Sequence, residues 1–511
     1  MELSTGRPGC GRKHGDVAPT TPLRPTLGPM RRLLLRVLTA AAAGLVAACS
    51  ASAPAPTPAT PAPSATPAPA ASDLPGTLVA AVTGDGAFRH LEELQRIADA
   101  NGGNRALGTP GYDASVEYVV RTLRDAGYTV DTPEFDARSF SVQDVRLTVD
   151  GAATAATALG FSPATAPGGV TAPLAVLTQD ETSGCEAADF AGMPAGAVVL
   201  IRRGTCPFGV KSANAAAARA AAVLVANNVD GPLDQATLGD VPAVLPTAGL
   251  AKADGDTLAG RAGAAVNLVL ATTIDARRSR NVIAQTTTGN ADNVVMAGAH
   301  LDSVPAGPGI NDNGSGTAAL LETAVRLGGA PSVTNAVRFA FWGAEEEGLV
   351  GSTSYVTKLA EADRLKIALY LNLDMVGSPN AAYLAYDGDT SDNVGAGPGP
   401  EGSATVERVL LEQLAAAGVA GEGTDFDGRS DYGPFIAAGI PAGGLFTGAE
   451  EPKTAEQAQK WGGTAGQPDD PCYHQACDRT SNIDRTALDR NVDAVAGTIG
   501  RFALSTDGIP A

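Results

Sequence analysis

Apolar residues recur at spacings of three and four in two early stretches, Phe88-Arg-His-Leu-Glu-Glu-Leu-Gln-Arg-Ile97 and Ala114-Ser-Val-Glu-Tyr-Val-Val-Arg-Thr-Leu-Arg124. That period predicts amphipathic helices, and residues 78–135 as a whole read as helical. The texture then changes. From about Ser141 to Ala271, short apolar runs such as Ala197-Val-Val-Leu-Ile201 and Ala222-Val-Leu-Val-Ala226 lie between Gly- and Pro-rich turns, which predicts a strand-rich segment. From Asn281 onward the two patterns alternate. Residues 293–299, 337–342 and 367–376 read as strands, and residues 316–327 as a helix between the first two. Apolar strands separated by helices imply an α/β sheet covered on both faces.

The N-terminal region has a different character. Met30-Arg-Arg32 is a basic start, residues 33–46 are mostly apolar, and Val46-Ala-Ala-Cys49 ends in small residues, the pattern of an export signal. Its charge-free part, residues 37–48, is shorter than the ~20 residues of a membrane span. Small residues before a cysteine resemble the bacterial lipoprotein signal, so Cys49 is expected to carry lipid, with simple secretion as the alternative. Residues 1–29, basic and rich in Pro and Gly, precede a signal that normally begins a chain, and translation is expected to start at Met30. Residues 50–77 form an Ala/Pro-rich linker, a composition that cannot bury a core and holds a folded body away from a surface. The rest of the chain exceeds 400 residues and predicts two domains: a body over 78–140 and 274–511, with an insert at 141–273.

The formal charge is −19; residues 1–48 hold seven basic and two acidic groups, so the chain without them carries −24. Such a balance argues against a nucleic-acid partner and suits an exported soluble enzyme, read as a monomer that meets a membrane only through Cys49. Beyond Cys10 and Cys49, Cys185 with Cys206 and Cys472 with Cys477 make two local pairs. In an exported protein these are most simply disulfides, a thiolate zinc site being the competing reading.

Only four histidines are present. His14 and His90 read as surface residues, whereas His300 ends an apolar run and His474 lies in Pro471-Cys-Tyr-His-Gln-Ala-Cys-Asp478. Between them come Asp312, Trp342-Gly-Ala-Glu-Glu-Glu-Gly348 and Asn372-Leu-Asp-Met375, several of them at or just after predicted strands, where an open α/β sheet binds its ligand. Two zinc ions need N and O ligands, an anion between them and room for water or substrate. His300 and His474 supply one nitrogen to each metal, Asp312 the bridge, and Glu346 and Asp374 complete the shells. Glu345 is placed as general base, and Asp302 would orient His300 from behind. Taken alone, Glu345-Glu-Glu347 would read as a solvated charge run; its position after an apolar strand changes that reading. Asp489 and Asp493, four apart on a predicted C-terminal helix, suit either a structural calcium ion or a plain solvated face.

The strings Gly298-Ala-His-Leu-Asp-Ser-Val304, Gly309-Ile-Asn-Asp-Asn-Gly-Ser-Gly316, Phe341-Trp-Gly-Ala-Glu-Glu346, Asn372-Leu-Asp-Met375 and Cys472-Tyr-His474 resemble the two-zinc exopeptidase family, over about Leu78 to Leu504. The resemblance implies a mixed α/β sheet with helices on both faces and repeats the ligand and base roles above. It adds Tyr473 as stabiliser of the tetrahedral oxyanion, a cis peptide after Asp312, and an apolar pocket from Met375 and Phe446 for a large N-terminal side chain. The insert, with Cys185-Glu-Ala-Ala-Asp-Phe190 and Leu200-Ile-Arg-Arg-Gly-Thr-Cys-Pro-Phe208, resembles the protease-associated domain, which in that family sits beside the active-site mouth. One departure is Ser430-Asp-Tyr432, where the family often has Ser-Asp-His. The leading expectation is an extracellular zinc aminopeptidase acting on peptides. A carboxypeptidase or dipeptidase would need a cation for the substrate carboxylate, for which Arg429 is the candidate, and a metal-free receptor-like binding protein is the reading from another class.

Overall fold

The computed structural model describes residues 73–233, 236–239, 245–395 and 397–510. The expectations for Cys10, His14, the signal at 30–49, Cys49 and most of the linker lie outside them. The linker ends earlier than its composition implies. Leu74–Ala81 is a helix with Pro75 in its first turn and the Asp73 carboxylate accepting a hydrogen bond from Gly76 N. Pro and Gly read as loop, yet proline is favoured in a first turn, where its missing N–H is no loss.

The predicted helices appear as Gly84–Ala100, Pro110–Asp125 and Gly316–Leu327, the first two a little longer than their periodic cores. The helical reading to residue 135 stops short, since Thr129–Asp131 and Glu134–Val149 are strands. Among the described residues the main sheet has eight strands in the order Thr129–Asp131, Val282–Gln285, Asn335–Trp342, Asn290–His300, Ile367–Leu373, Ala442–Phe446, Leu384–Tyr386, Glu422–Thr424. Strands Asn335–Trp342, Asn290–His300, Ile367–Leu373 and Ala442–Phe446 run parallel, while antiparallel partners flank them, so the sheet is mixed.

Alternate residues of each central strand face opposite sides. Val295, Ala297, Ala299, Phe339, Phe341, Leu369 and Leu371 meet one helical layer that includes Leu91, Leu94, Leu320 and Val495. Met296, Ala340, Trp342 and Tyr370 meet another, with Val356, Tyr432 and Phe435. Both faces are covered, which is why these strands read as unbroken apolar runs.

The insert hangs on two long strands. Glu134–Val149 pairs antiparallel with Ala265–Arg280 from Glu134 opposite Arg280 to Val149 opposite Val266. The expected borders at 140/141 and 273/274 fall inside these strands, because the same ladder runs from body into insert without a break in pattern. Val170–Val176, Val198–Arg202, Ala222–Ala226 and Thr247–Leu250 extend the second sheet, closed over Leu174, Leu200, Leu224 and Leu268. Cys185 and Cys206 are bonded within it.

Candidate metal centre and active site

The carboxyl ends of the parallel strands carry the site. His300 is the last residue of Asn290–His300, Glu345 and Glu346 follow Asn335–Trp342, and Asp374 comes directly after Ile367–Leu373. Asp312 precedes the helix Gly316–Leu327, and its peptide bond to Asn313 is cis, as the family resemblance implies. His474 belongs to the segment closed by the Cys472–Cys477 disulfide. Ala344, Met375 and His474 bend through the left-handed region at φ 57°, 51° and 56°, a backbone state costing about 1–3 kcal/mol outside glycine, and each supplies or adjoins a site group.

Asp312 stands between the imidazoles. Its Oδ1 is 3.2 Å from His300 Nε2 and its Oδ2 is 3.0 Å from His474 Nε2. Glu346 Oε2 lies 3.1 Å from His474 Nε2, and Asp374 Oδ1 lies 3.4 Å from His300 Nε2. Each imidazole therefore faces the shared carboxylate and one of its own. Glu345 lies on the other side from Glu346, its carboxylate within 4.8 Å of ligand atoms of His300 and Asp374.

Backbone contacts hold these groups. Both oxygens of Asp478 accept main-chain hydrogen bonds, from Asn311 N at 2.8 Å and Asp312 N at 3.0 Å. Asp302 Oδ1 is 3.7 Å from His300 Nδ1, and the same carboxylate accepts hydrogen bonds from Glu345 N and Glu346 N. Asp302 thus ties the histidine strand to the glutamate turn as well as backing the ring. Fully buried Arg105 donates to the carbonyls of Leu301, Pro308 and Gly309, shaping the loop between His300 and Asp312. Arg105, Asp478 and Ser430, which donates to Asp374 Oδ2 at 2.5 Å, were not singled out by sequence reasoning. Their partners are backbone atoms or remote side chains, which leave no spacing signal.

The electrostatics fit a cation. Burial disfavours a charged His300, yet Asp374, Glu345 and their neighbours hold its pKa well above the usual value. Burial likewise opposes a charged His474, but Glu346 and Asp312 raise it to about 11. Burial and the Asp312 charge push Glu346 up to about 7, and burial with the charges of Asp431 and Glu346 drives Glu345 well above the carboxylate range. Among the described residues, His300 Nδ1, Glu346 Oε1 and Asp374 Oδ1 are buried without a hydrogen bond. So many buried acids repel one another unless positive charge is shared among them. Two imidazole nitrogens and several carboxylates are the donor set zinc takes.

A cavity of about 340 Å³ opens beside His300, Asp312, Glu345, Asp374, Tyr473 and His474, with Met375, Leu384, Tyr386 and Phe446 supplying apolar lining. The expected pocket residues Met375 and Phe446 are both there; Leu384 and Tyr386 join them from the neighbouring strand, Leu384 paired opposite Phe446, beyond the reach of a motif. Arg429 also lines the cavity, but its guanidinium is 2.9 Å from Glu450, 3.2 Å from Glu451, and donates to the Tyr473 hydroxyl at 3.2 Å. The Tyr473 ring stacks on His474 at 3.9 Å.

The structure bears on three further readings of the sequence, of which the first changes and the last, the disulfides, is borne out. His90 is more enclosed than a surface residue, its side chain 13% exposed: its Nδ1 is 2.5 Å from Tyr118 OH and its Nε2 3.5 Å from the buried Glu322. Asp489 accepts a hydrogen bond from Gly84 N at 2.7 Å, capping a helix, and neither it nor Asp493 belongs to a group of three clustered ligand side chains among the described residues. Both local cysteine pairs are disulfides, so neither offers thiolates to a metal.

Residues 281–499 match the model of peptidase family M28, and residues 170–258 match that of the PA domain. The chain is 52% identical over 433 residues to the probable lipoprotein aminopeptidase LpqL of Mycobacterium tuberculosis, covering 84% of this chain and 86% of that protein. Its fold is similar to an aminopeptidase from Aneurinibacillus sp. strain AM-1, with TM-score 0.69 and 27% identity over 84% of this chain and 96% of that one. It is also similar to BSAP, a zinc aminopeptidase from Bacillus subtilis, with TM-score 0.59 and 26% identity over 83% of this chain and 96% of that one. The chain belongs to peptidase family M28, as a metallo-aminopeptidase with a PA domain set into its peptidase fold.

Proposed function

We propose that the protein is an exported aminopeptidase that holds two zinc ions and removes large apolar residues from the N-termini of peptides. The observation that carries this reading is Asp312, with one oxygen toward each imidazole. His300 and Asp374 would hold one ion with it, and His474 and Glu346 the other. Bound there, the zinc would lower the pKa of a water molecule and polarise the scissile carbonyl. Glu345, buried and not needed as a ligand, accepts that water's proton and passes it to the leaving amine. Tyr473, its oxygen already receiving a hydrogen bond from Arg429, keeps its own proton to donate toward the oxygen that gains negative charge.

Glu345 and Asp374 in the cavity wall supply negative charge that suits a substrate ammonium. A carboxypeptidase needs a free cation for the opposite terminus, and Arg429 is engaged by Glu450 and Glu451. The apolar lining of Met375, Leu384, Tyr386 and Phe446 supports a preference for Leu, Phe or Met, graded because one methylene in such a pocket changes binding by only ~1–3 kcal/mol. Leucyl anilide should be cleaved and N-acetyl-leucyl anilide should resist, with activity lost to a chelator and restored by zinc. Equal cleavage of the acetylated substrate would transfer the reading to the carboxypeptidase branch.

The organisation that suits this role is a lipoprotein-type signal at residues 30–49, a linker, and a peptidase body interrupted by the PA insert. The name of the Mycobacterium relative supports lipid attachment at Cys49, and no helix among the described residues is long and apolar enough to cross a membrane. Cys49→Ala should move the protein from the membrane fraction to the medium.

A further inference from the structure

A chain of four buried hydrogen bonds ends on Asp374. Trp342 Nε1 donates to Tyr370 OH at 2.8 Å, and Tyr370 OH donates to Asn372 Oδ1 at 3.2 Å. Asn372 Nδ2 then donates to Ser430 Oγ at 2.8 Å, and Ser430 Oγ donates to Asp374 Oδ2 at 2.5 Å. Trp342, Tyr370, Asn372 and Ser430 are all buried. An indole N–H can only donate and an ionised carboxylate can only accept, so the two ends dictate the direction of every bond between them. The tyrosine proton must point to Asn372, the amide has one permitted orientation, and the serine proton must point to Asp374.

The chain crosses a strand on its way. Trp342 lies opposite His300 in one ladder, and Asn372 lies opposite Gly298 in the next. A Cβ at Gly298 would stand 2.4 Å from Tyr370 OH and 2.6 Å from Trp342 Nε1, so the glycine two residues before His300 leaves the space the chain needs. The Tyr370 ring is itself clamped, stacked on Phe435 at 3.7 Å. At the far end, Ser430 occupies Asp374 Oδ2, while Asp374 Oδ1 faces His300 Nε2 at 3.4 Å with no hydrogen bond among the described residues.

We infer that Trp342, Tyr370, Asn372 and Ser430 form a one-directional donor relay that positions Asp374, holding one oxygen so that the other is presented to a metal ion beside His300. Tyr370 is the remote positioning residue in this relay. A donor on Oδ2 leaves Oδ1 as the oxygen without a hydrogen bond among the described residues, and a fixed donor string restrains rotation of the carboxylate. The inference rests on the metal reading above and deepens it, because it makes the two metal positions unequal: the relay touches Asp374 and neither Glu346 nor His474.

The test is a zinc titration of the full folded protein against a chromogenic chelator, giving two dissociation constants. Tyr370→Phe keeps the ring and its stack but breaks the string. Outer partners of metal ligands contribute about 10–100-fold to affinity, so one constant should rise at least tenfold and the other stay within twofold. Ser430→Ala should act alike, and Ser430→Thr, which retains the hydroxyl, should restore binding. Val495→Ala, which loosens the helical layer on the opposite face of the sheet, should lower thermal stability and leave both constants unchanged. Should Tyr370→Phe not fold, the Ser430 pair decides alone. Both constants unchanged, both shifted equally, or Val495→Ala matching Tyr370→Phe would overturn the relay. A wild-type protein that binds no zinc would instead overturn the metal reading beneath it.

Discussion

Glu345 and Glu346 are neighbours in the chain with different surroundings. Glu346 reaches His474, whereas Glu345 lies against His300 and Asp374. Glu345→Gln should therefore retain both metals, measured by metal analysis, while kcat falls by about 10²–10⁴-fold, the usual contribution of a positioned base. His300→Ala should instead show its loss in zinc content. Near-normal turnover in Glu345→Gln would remove the role assigned to it. The residues expected at the site were legible because each stands beside an apolar run that ends abruptly or in a compact polar motif. Asp478, Arg105 and Ser430 were not, since a carboxylate that holds two backbone N–H groups looks the same in sequence as one in water. His90 misled for the same reason: its partner Glu322 lies on another helix.

At the level of elements, the alternation of strands and helices after Asn281 gave the right layers, and the strand ends gave the site. What sequence could not mark was where the insert begins, because one ladder serves both parts, or that the first helix starts at Leu74. Helix contacts contain a measurable pair. Glu322, on Gly316–Leu327, is 2.8 Å from Arg326 and 3.5 Å from His90 on Gly84–Ala100. Burial opposes its charge, but the hydrogen bonds from His90 and Arg326 outweigh it and lower its pKa below 4.5. A carboxyl whose folded pKa is depressed stabilises above its unfolded pKa, and the benefit is lost as pH falls through the folded value. Glu322→Gln should cost about 1.5–3 kcal/mol in urea unfolding at pH 7, and the gap should shrink as pH drops below the pKa of the free acid. A gap constant with pH would show that packing, not charge, joins these helices.

For the whole molecule, the buried acids of the site make the metal-free protein the less stable form. Zinc at about a thousand times its dissociation constant adds about 4 kcal/mol through mass action, so the thermal midpoint should rise by several degrees in a calorimeter scan with zinc over one with chelator. An unchanged midpoint would mean that the ligand cluster tolerates its own charge. The two disulfides among the described residues are both local, one in the insert and one beside His474, so neither staples the insert to the body; that task falls to the paired strands Glu134–Val149 and Ala265–Arg280.

The last of the expected ligands, His474, enters the chain long after the others, and Arg485–Leu504, the helix that comes after it, packs against Leu74–Ala81 at the other end of the described chain. A growing chain therefore holds the four other proposed ligands and the proposed base before the site can be complete. The order of the chain makes its C-terminal segment the part that completes the site, and a chain truncated before Cys472 should never acquire the power to cut.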